Sequence, residues 1–445
     1  MNTYTIIIDD VMIRNMLQTN IQESFDLLTP KLILYFLFLG LLPSFFIYKI
    51  NLKDQNLKEL SIAKLKVIFS SLLIILLLIF AFSKHYASFF REHKSLRKYI
   101  NPTAWIYATG LYAKNTYTYS ETVFHTIGKD ATIDKNTTRN IVIMVVGEAA
   151  RADHFSINGY KKETNPLLKK EDIINLSQVS ACGTSTAVSV PCMFSKFPKD
   201  SFDYKKGIYY ENVLDVLNHT DNVAVLWRDN NSNSKGVAVR LQYQHYKAKN
   251  NNTICDNGEC RDEGMLVGLD EYIEKNKDKN ILIVLHQMGN HGPAYYKRYP
   301  KEFEKFTPVC STNQLENCSA EEISNAYDNA LLYTDYFLTQ TINFLKQYEN
   351  KYNTSLIYMS DHGESLGENG VYLHGLPYFI APDAQTHVPA FLWFGTKSKE
   401  SLDVDKIRSM KDKEFSHDNL FHTLLGIFNV KSEVYDQKMD IINQP

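Results

Sequence analysis

No two of the six cysteines are spaced as CxxC, so zinc-knuckle spacing is absent. A basic excess is also missing: 48 lysines and arginines face 50 aspartates and glutamates, for a net charge of −2, and no nucleic-acid partner is indicated. The chain has no internal repeats and no low-complexity tracts, which excludes solenoids. Its opening, MNTYTIIIDDVMIRNMLQTN, has neither the basic n-region nor the apolar h-region of a signal peptide. The chain is not short of apolar residues: they make up 44% of its 445, enough to build a sizeable core.

Two stretches lack charge altogether. Leu32–Tyr48 (LILYFLFLGLLPSFFIY) and Val67–Ser83 (VIFSSLLIILLLIFAFS) are apolar on every face and flanked by lysines. Each is at the short end of what crosses a bilayer as a helix, and Pro43 is expected to kink the first. The linker carries Lys49, Lys53, Lys58, Lys64 and Lys66, which places it in the cytoplasm and both outer ends on the other side. The basic REHKSLRK after the second run blurs this assignment, and the cysteines decide it.

Cys182, Cys192, Cys255, Cys260, Cys310 and Cys318 all follow the apolar runs, as three local pairs. Six cysteines allow fifteen pairings, of which neighbour pairing is the simplest; an Asn-Gly turn inside DNGE could close the middle pair. Disulfides imply an oxidising compartment. Starting outside without a signal peptide is unusual, and an upstream helix missing from the sequence is the simpler reading. The expected organisation is a membrane region over 1–83, an aromatic and basic interfacial connector over 84–138, and a catalytic domain over 139–445.

From about Asn140 the pattern is α/β. Four strand-like runs, 141–148, 222–230, 281–291 and 355–363, alternate with helical segments, which predicts a mostly parallel sheet covered by helices on both faces. All four end in polar residues: Glu148; Arg228 and Asp229; His286 and His291; Asp361 and His362. Ligand sites in open α/β sheets lie beyond the carboxyl ends of the strands. Carboxylates and imidazoles gathered there suit zinc, with manganese less favoured; His374 follows a short loop later. A nucleophile is sought in CGTSTAVSVPCMFSK, where a hydroxyl beside such a metal would ionise far more easily than in water. Thr184, Ser185 and Thr186 all qualify, and composition does not choose among them.

NIVIMVVGEAARADHFSINGY, ACGTSTAVSVPCMFS, WRDNNSNSKGV, LHQMGNHGPAYYKRYP, SDHGESLGENGVYLHG and FSHDNLFHTLLG closely resemble the phosphoethanolamine transferases that modify lipid A. That family lies within the alkaline phosphatase/sulfatase superfamily and includes the mobile colistin-resistance enzymes. The resemblance runs from Asn140 onward, and IIIDDVMIRNMLQTN is similar to the family's periplasmic loop.

The resemblance implies zinc, one ion or two, on Glu148, Thr186, Asp361 and His362, with Thr186 as the nucleophile that carries a covalent phosphothreonine. It implies that His291 and His374 lie at the substrate or second-metal position, where either could protonate the leaving oxygen, that Asn231 and Lys235 lie near bound phosphoethanolamine, and that His286 is a further substrate-side histidine. It also implies the three neighbour disulfides, phosphatidylethanolamine as donor, and lipid A or another surface glycolipid as acceptor. The expected setting is a monomer in the bacterial inner membrane with its catalytic domain in the periplasm, conferring resistance to polymyxin-like peptides. Family members carry five membrane helices. Only two runs are evident here and they look like the last two, so the N-terminal side reads as shortened.

A sulfatase would place Cys or Ser two residues before Pro and four before Arg. The nearest stretch, Ser189–Met193, has Met where that Arg belongs. A phosphodiesterase or phosphatase of the superfamily would use water as acceptor, and an inactive membrane scaffold would keep the fold without turnover; product analysis separates these.

Overall fold

The computed structural model describes all residues except 1–6, 20–23, 25–27, 51–55, 83–99, 119–123, 135–137, 205–206 and 257. Lys53, the basic REHKSLRK segment and Asn257 of the Asn-Gly turn lie outside the described residues. The chain divides into two compact units, one of residues 28–108 and one of residues 1–27 with 109–445.

In the first unit, Pro30–Lys49 and Lys58–Ala81 are long and apolar enough to cross a membrane, and their side chains are exposed. An apolar surface of this kind suits lipid as its solvent. A π-helical turn at Phe36–Leu41 precedes Pro43. Proline has no N–H to give the preceding turn, and the wider turn accommodates that loss.

The second unit opens with α1 (Asp10–Gln18), capped by the Asp9 carboxylate on the Met12 amide. Its centre is a seven-stranded sheet: β1 (Asn140–Gly147), β2 (Ile173–Leu176), β3 (Val223–Asp229), β4 (Gln242–His245), β5 (Asn280–His286), β6 (Asn353–Ser360) and β7 (Ala390–Phe394), in the order β2-β7-β6-β1-β5-β3-β4. Six strands run in one direction and β7 runs against them. The four expected runs are β1, β3, β5 and β6, and the third ends at His286, so 287–291 is loop rather than strand.

β1 is apolar on both faces because both are covered. Ile141, Ile143 and Val145 pack with Tyr327, Leu331, Leu338 and Ile342 of a long helix, Ala320–Lys346. Val142, Met144 and Val146 pack with Val190 and Met193 of α2 (Thr186–Met193) and with Leu420, Phe421 and Leu424 of α3 (Asp418–Ile427). Burying each such side chain contributes roughly 1.5–3 kcal/mol. Neighbour disulfides join Cys182 to Cys192, Cys255 to Cys260 and Cys310 to Cys318. The first ties the loop before α2 to α2 itself.

Parallel register sets the site. Gly147 lies opposite Ser360, Val146 opposite His286, and Asp229 opposite His286. Strands about 4.8 Å apart therefore end side by side, with Glu148, Asp361, Gln287 and Asn230 each one residue beyond.

Candidate active site

Glu148 leaves β1 and is followed by Ala149 in the left-handed region (φ 54°), a strained position of the kind that clusters at functional sites. Asp361 and His362 leave β6, and Thr186 is the first residue of α2. These four residues converge and are buried. Thr186 Oγ1 donates to Glu148 Oε2 at 3.1 Å and lies 3.3 Å from His362 Nε2. His362 Nε2 is 3.4 Å from both Glu148 Oε1 and Asp361 Oδ2. Its Nδ1 is 2.8 Å from the Gly363 carbonyl and donates to it, which turns the Nε2 lone pair toward the carboxylates. Burial pushes the His362 pKa below its usual value, so the ring is neutral.

The three candidate hydroxyls separate. Thr184 donates to the Leu376 carbonyl at 2.6 Å, and the buried Ser185 hydroxyl has no hydrogen-bond partner among the described residues. Of the three, Thr186 is the one in contact with Glu148 and His362.

One ligand atom from each of Glu148, Asp361 and His362 falls within 4.8 Å of the others. Asp361 Oδ1 accepts from the Ala149 and His362 amides at 3.2 and 2.7 Å, while its Oδ2 is buried without a hydrogen-bond partner among the described residues. A buried carboxylate oxygen with no donor needs a compensating cation. Two carboxylates, a neutral imidazole and a hydroxyl fit zinc. A second group, His362, Glu364 and His374, shares His362 with the first.

Around this centre, Asn231 Nδ2 bridges Glu148 Oε2 and the Gln287 carbonyl, each at 2.7 Å. Lys235, at φ 49°, sends its Nζ to Ser232 Oγ at 2.7 Å. The His374 ring lies 4.3 Å from that of His362 and 5.8 Å from that of His291. His286 is placed elsewhere: it is fully buried in β5, with Nδ1 2.9 Å from Asp229 Oδ2 and its ring edge-on to Trp227. A ring so enclosed reaches the site only through its neighbours.

Three residues received no role from the sequence. Glu364 accepts from His374 Nδ1 and from the Tyr295 hydroxyl, both at 2.7 Å, and so sets the tautomer and angle of His374. Asp262 accepts from Asn230 Nδ2, the Met288 amide and the Gly289 amide at 2.7, 2.8 and 3.1 Å, joining the two loops that flank Glu148. Gly289 (φ 48°) lies so close to Glu148 that a Cβ there would meet the Glu148 carbonyl at 2.9 Å. His417 lies between the Cys182 amide and the Ser360 carbonyl, at 3.1 and 2.9 Å, and thereby joins the nucleophile loop to the end of β6. The carboxylate two places after His362 and the histidine of FSHDN were the only signals, and neither indicates a partner.

His417 supplies a stability prediction. Its Nδ1 accepts and its Nε2 donates, so the native ring is neutral, and burial lowers its pKa from 6.5 to about 4. The folded state therefore binds fewer protons than the unfolded state between these values, and stability falls as pH falls through that window. The loss totals about 3 kcal/mol. Urea melts of metal-free enzyme at pH 7 and pH 4.5 measure it. In His417→Gln, whose amide can make both hydrogen bonds without titrating, the pH-dependent loss shrinks; an unchanged loss assigns it to other groups.

A parallel sheet with carboxylates, an imidazole and a hydroxyl gathered at its carboxyl edge defines a sulfatase-like enzyme, and residues 140–430 match the sulfatase family. Residues 1–117 match the family described as phosphoethanolamine transferase EptA/EptB. The chain is 46% identical over 446 residues to phosphatidylethanolamine transferase Mcr-1 of Escherichia coli, covering 97% of this chain and 81% of that protein. It is 42% identical over 448 residues to phosphoethanolamine transferase EptA of Escherichia coli (strain K12), covering 99% and 81%. Its structure matches the integral membrane protein lipooligosaccharide phosphoethanolamine transferase A from Neisseria meningitidis with a TM-score of 0.92 at 36% identity, over 99% of this chain and 83% of that one. The chain belongs to the phosphoethanolamine transferases, enzymes of the alkaline phosphatase/sulfatase superfamily.

Proposed function

We propose that this enzyme moves phosphoethanolamine from phosphatidylethanolamine to a phosphate of lipid A by way of Thr186. The observation that carries the reading is the Thr186 hydroxyl, held within 3.1 Å of Glu148 and 3.3 Å of His362, while Thr184 is bonded to the Leu376 carbonyl and Ser185 makes no hydrogen bond among the described residues. Glu148, Thr186, Asp361 and His362 would hold zinc, which when bound supplies the positive charge that favours the ionised hydroxyl and offsets charge on the phosphoryl oxygens.

Thr186 Oγ attacks the donor phosphorus, the bond from phosphorus to the diacylglycerol oxygen breaks, and that oxygen takes a proton from His374. Glu364 and Tyr295 hold His374 in the required orientation, and His291 flanks it. An acceptor phosphate oxygen then attacks the same phosphorus and Thr186 leaves. Asn231 orients Glu148, and the Lys235 ammonium stands beside the transferring group, where positioning and charge dominate phosphoryl transfer. The division we infer is a membrane region containing the two spans, a connector, and a catalytic region from residue 139 on the periplasmic side of the inner membrane, acting as a monomer. Added ethanolamine cancels negative surface charge and weakens binding of cationic peptides such as polymyxin.

Mass spectrometry of lipid A from cells with and without the gene tests this. Lipid A gains phosphoethanolamine only when the gene is present. Release of free phosphoethanolamine with lipid A unmodified would make the protein a hydrolase instead.

A further inference from the structure

Exposed apolar side chains occur at several places in the second unit, Val239 and Val267 among them, and two adjacent ones stand on a segment attached to the mouth of the site. Phe379 is 70% exposed, the highest among that unit's described large apolar residues, and Ile380 beside it is 42% exposed. Both belong to a 3₁₀ turn, Tyr378–Ile380, bounded by Pro377 and Pro382. The segment before the turn is bonded to the nucleophile loop: the Gly375 amide donates to the Thr184 carbonyl at 2.7 Å, and the Thr184 hydroxyl donates to the Leu376 carbonyl at 2.6 Å. Met12 of α1 packs at Gly375, and Met16 and Leu17, one turn further along α1, are 62% and 65% exposed.

Scattered exposed apolar residues are ordinary, but a concentration at one place marks an interaction site. The Lys199 ammonium lies 4.1 Å from the Tyr378 ring centroid, so a cation and an amphipathic aromatic stand at the base of the apolar tip. Aromatic, aliphatic and lysine side chains in this combination are those that settle at the boundary between headgroups and acyl chains. The lysine complements lipid phosphate, and the same polypeptide carries two apolar spans that tether it to a bilayer.

We infer that the Leu376–Pro382 turn enters the headgroup layer of the bilayer and holds the glycerol and upper acyl region of the donor at the mouth of the site. This rests on phosphatidylethanolamine being the donor. Drawing two acyl chains fully into water costs free energy for every methylene exposed. A hydroxyl that attacks a phospholipid phosphorus must therefore be brought to the interface, or the chains must be covered where they leave it. A stiff apolar tip that begins immediately after His374 and is bonded to the loop carrying Thr186 meets that need.

The test compares full-length wild type with a Phe379→Ser, Ile380→Ser double variant on two donors: long-chain phosphatidylethanolamine in vesicles with phosphatidylcholine, and dihexanoyl phosphatidylethanolamine dissolved as monomers. On the vesicle donor the variant loses about tenfold in rate, mainly as a rise in the half-saturating donor fraction; on the soluble donor it stays within about twofold. Equal losses on both donors would make the turn part of the catalytic framework, and no loss on either would leave the tip without a lipid role. Either result overturns the inference. If wild type leaves both donors intact, the donor assignment itself is wrong and the inference falls with it. As a second measurement, Phe379→Trp is reconstituted with acyl-brominated lipid. Its added emission is quenched beyond that of the three native tryptophans; quenching equal to wild type excludes insertion.

Discussion

Thr186→Ala lowers turnover by about a thousandfold or more and abolishes the covalent phosphoethanolamine adduct on the protein. Removing Oγ1 removes the hydroxyl of the CGTST loop that contacts Glu148 and His362. Thr184 does not replace it, because it is committed to the Leu376 carbonyl, and the disulfide between Cys182 and Cys192 ties the loop to α2. The controls differ in kind. Thr184→Ala loses a hydrogen bond worth about 1 kcal/mol, and with it part of the anchoring of the Leu376 turn, so it lowers stability more than chemistry. Thr186→Ser keeps the oxygen and retains measurable adduct, with looser orientation from the missing methyl. Intact-protein mass spectrometry after brief exposure to donor reads all three. An adduct of undiminished intensity on Thr186→Ala moves the nucleophile to another residue.

The sheet was legible in the sequence because its central strands are buried on both faces and read as unbroken apolar runs. β2, β4 and β7 were not. β2 alternates buried with half-buried residues, β4 is largely exposed, and β7 is a five-residue run that resembles any short core segment. The convergence of strand ends was legible because parallel register forces it. The choice among Thr184, Ser185 and Thr186 was not legible from composition. It depends on a carbonyl nearly two hundred residues away in sequence, at Leu376. Asp262 follows the Cys255–Cys260 hairpin with nothing local to mark it, and its importance lies in three bonds to distant loops. His286 shows the reverse case. The family resemblance implies a substrate-side role for it, while the strand continues as far as that residue and its ring is paired with Asp229 inside the sheet.

Demetallated enzyme gains thermal stability when zinc is restored, and Asp361→Asn loses most of that gain together with activity. The reason lies in how the carboxylate is served. Oδ1 has two backbone donors, whereas Oδ2 is buried with none among the described residues. An ionised carboxylate in such a place costs several kcal/mol unless a cation answers it. Zinc at a hundred times its dissociation constant adds about 2.7 kcal/mol to the folded state, a rise of about 3–6 °C in midpoint for a domain of this size. The Asn variant keeps the shape and removes the charge. Without metal it is therefore at least as stable as metal-free wild type, even though it is inactive. This ordering separates metal binding from a merely structural role, because a structural carboxylate would leave the Asn variant less stable with or without zinc. Calorimetry with and without a chelator, paired with turnover, reads both properties. Full turnover by thoroughly demetallated wild type, or equal zinc-induced shifts in wild type and Asp361→Asn, would remove the cation from this centre and leave the unanswered Oδ2 without an explanation.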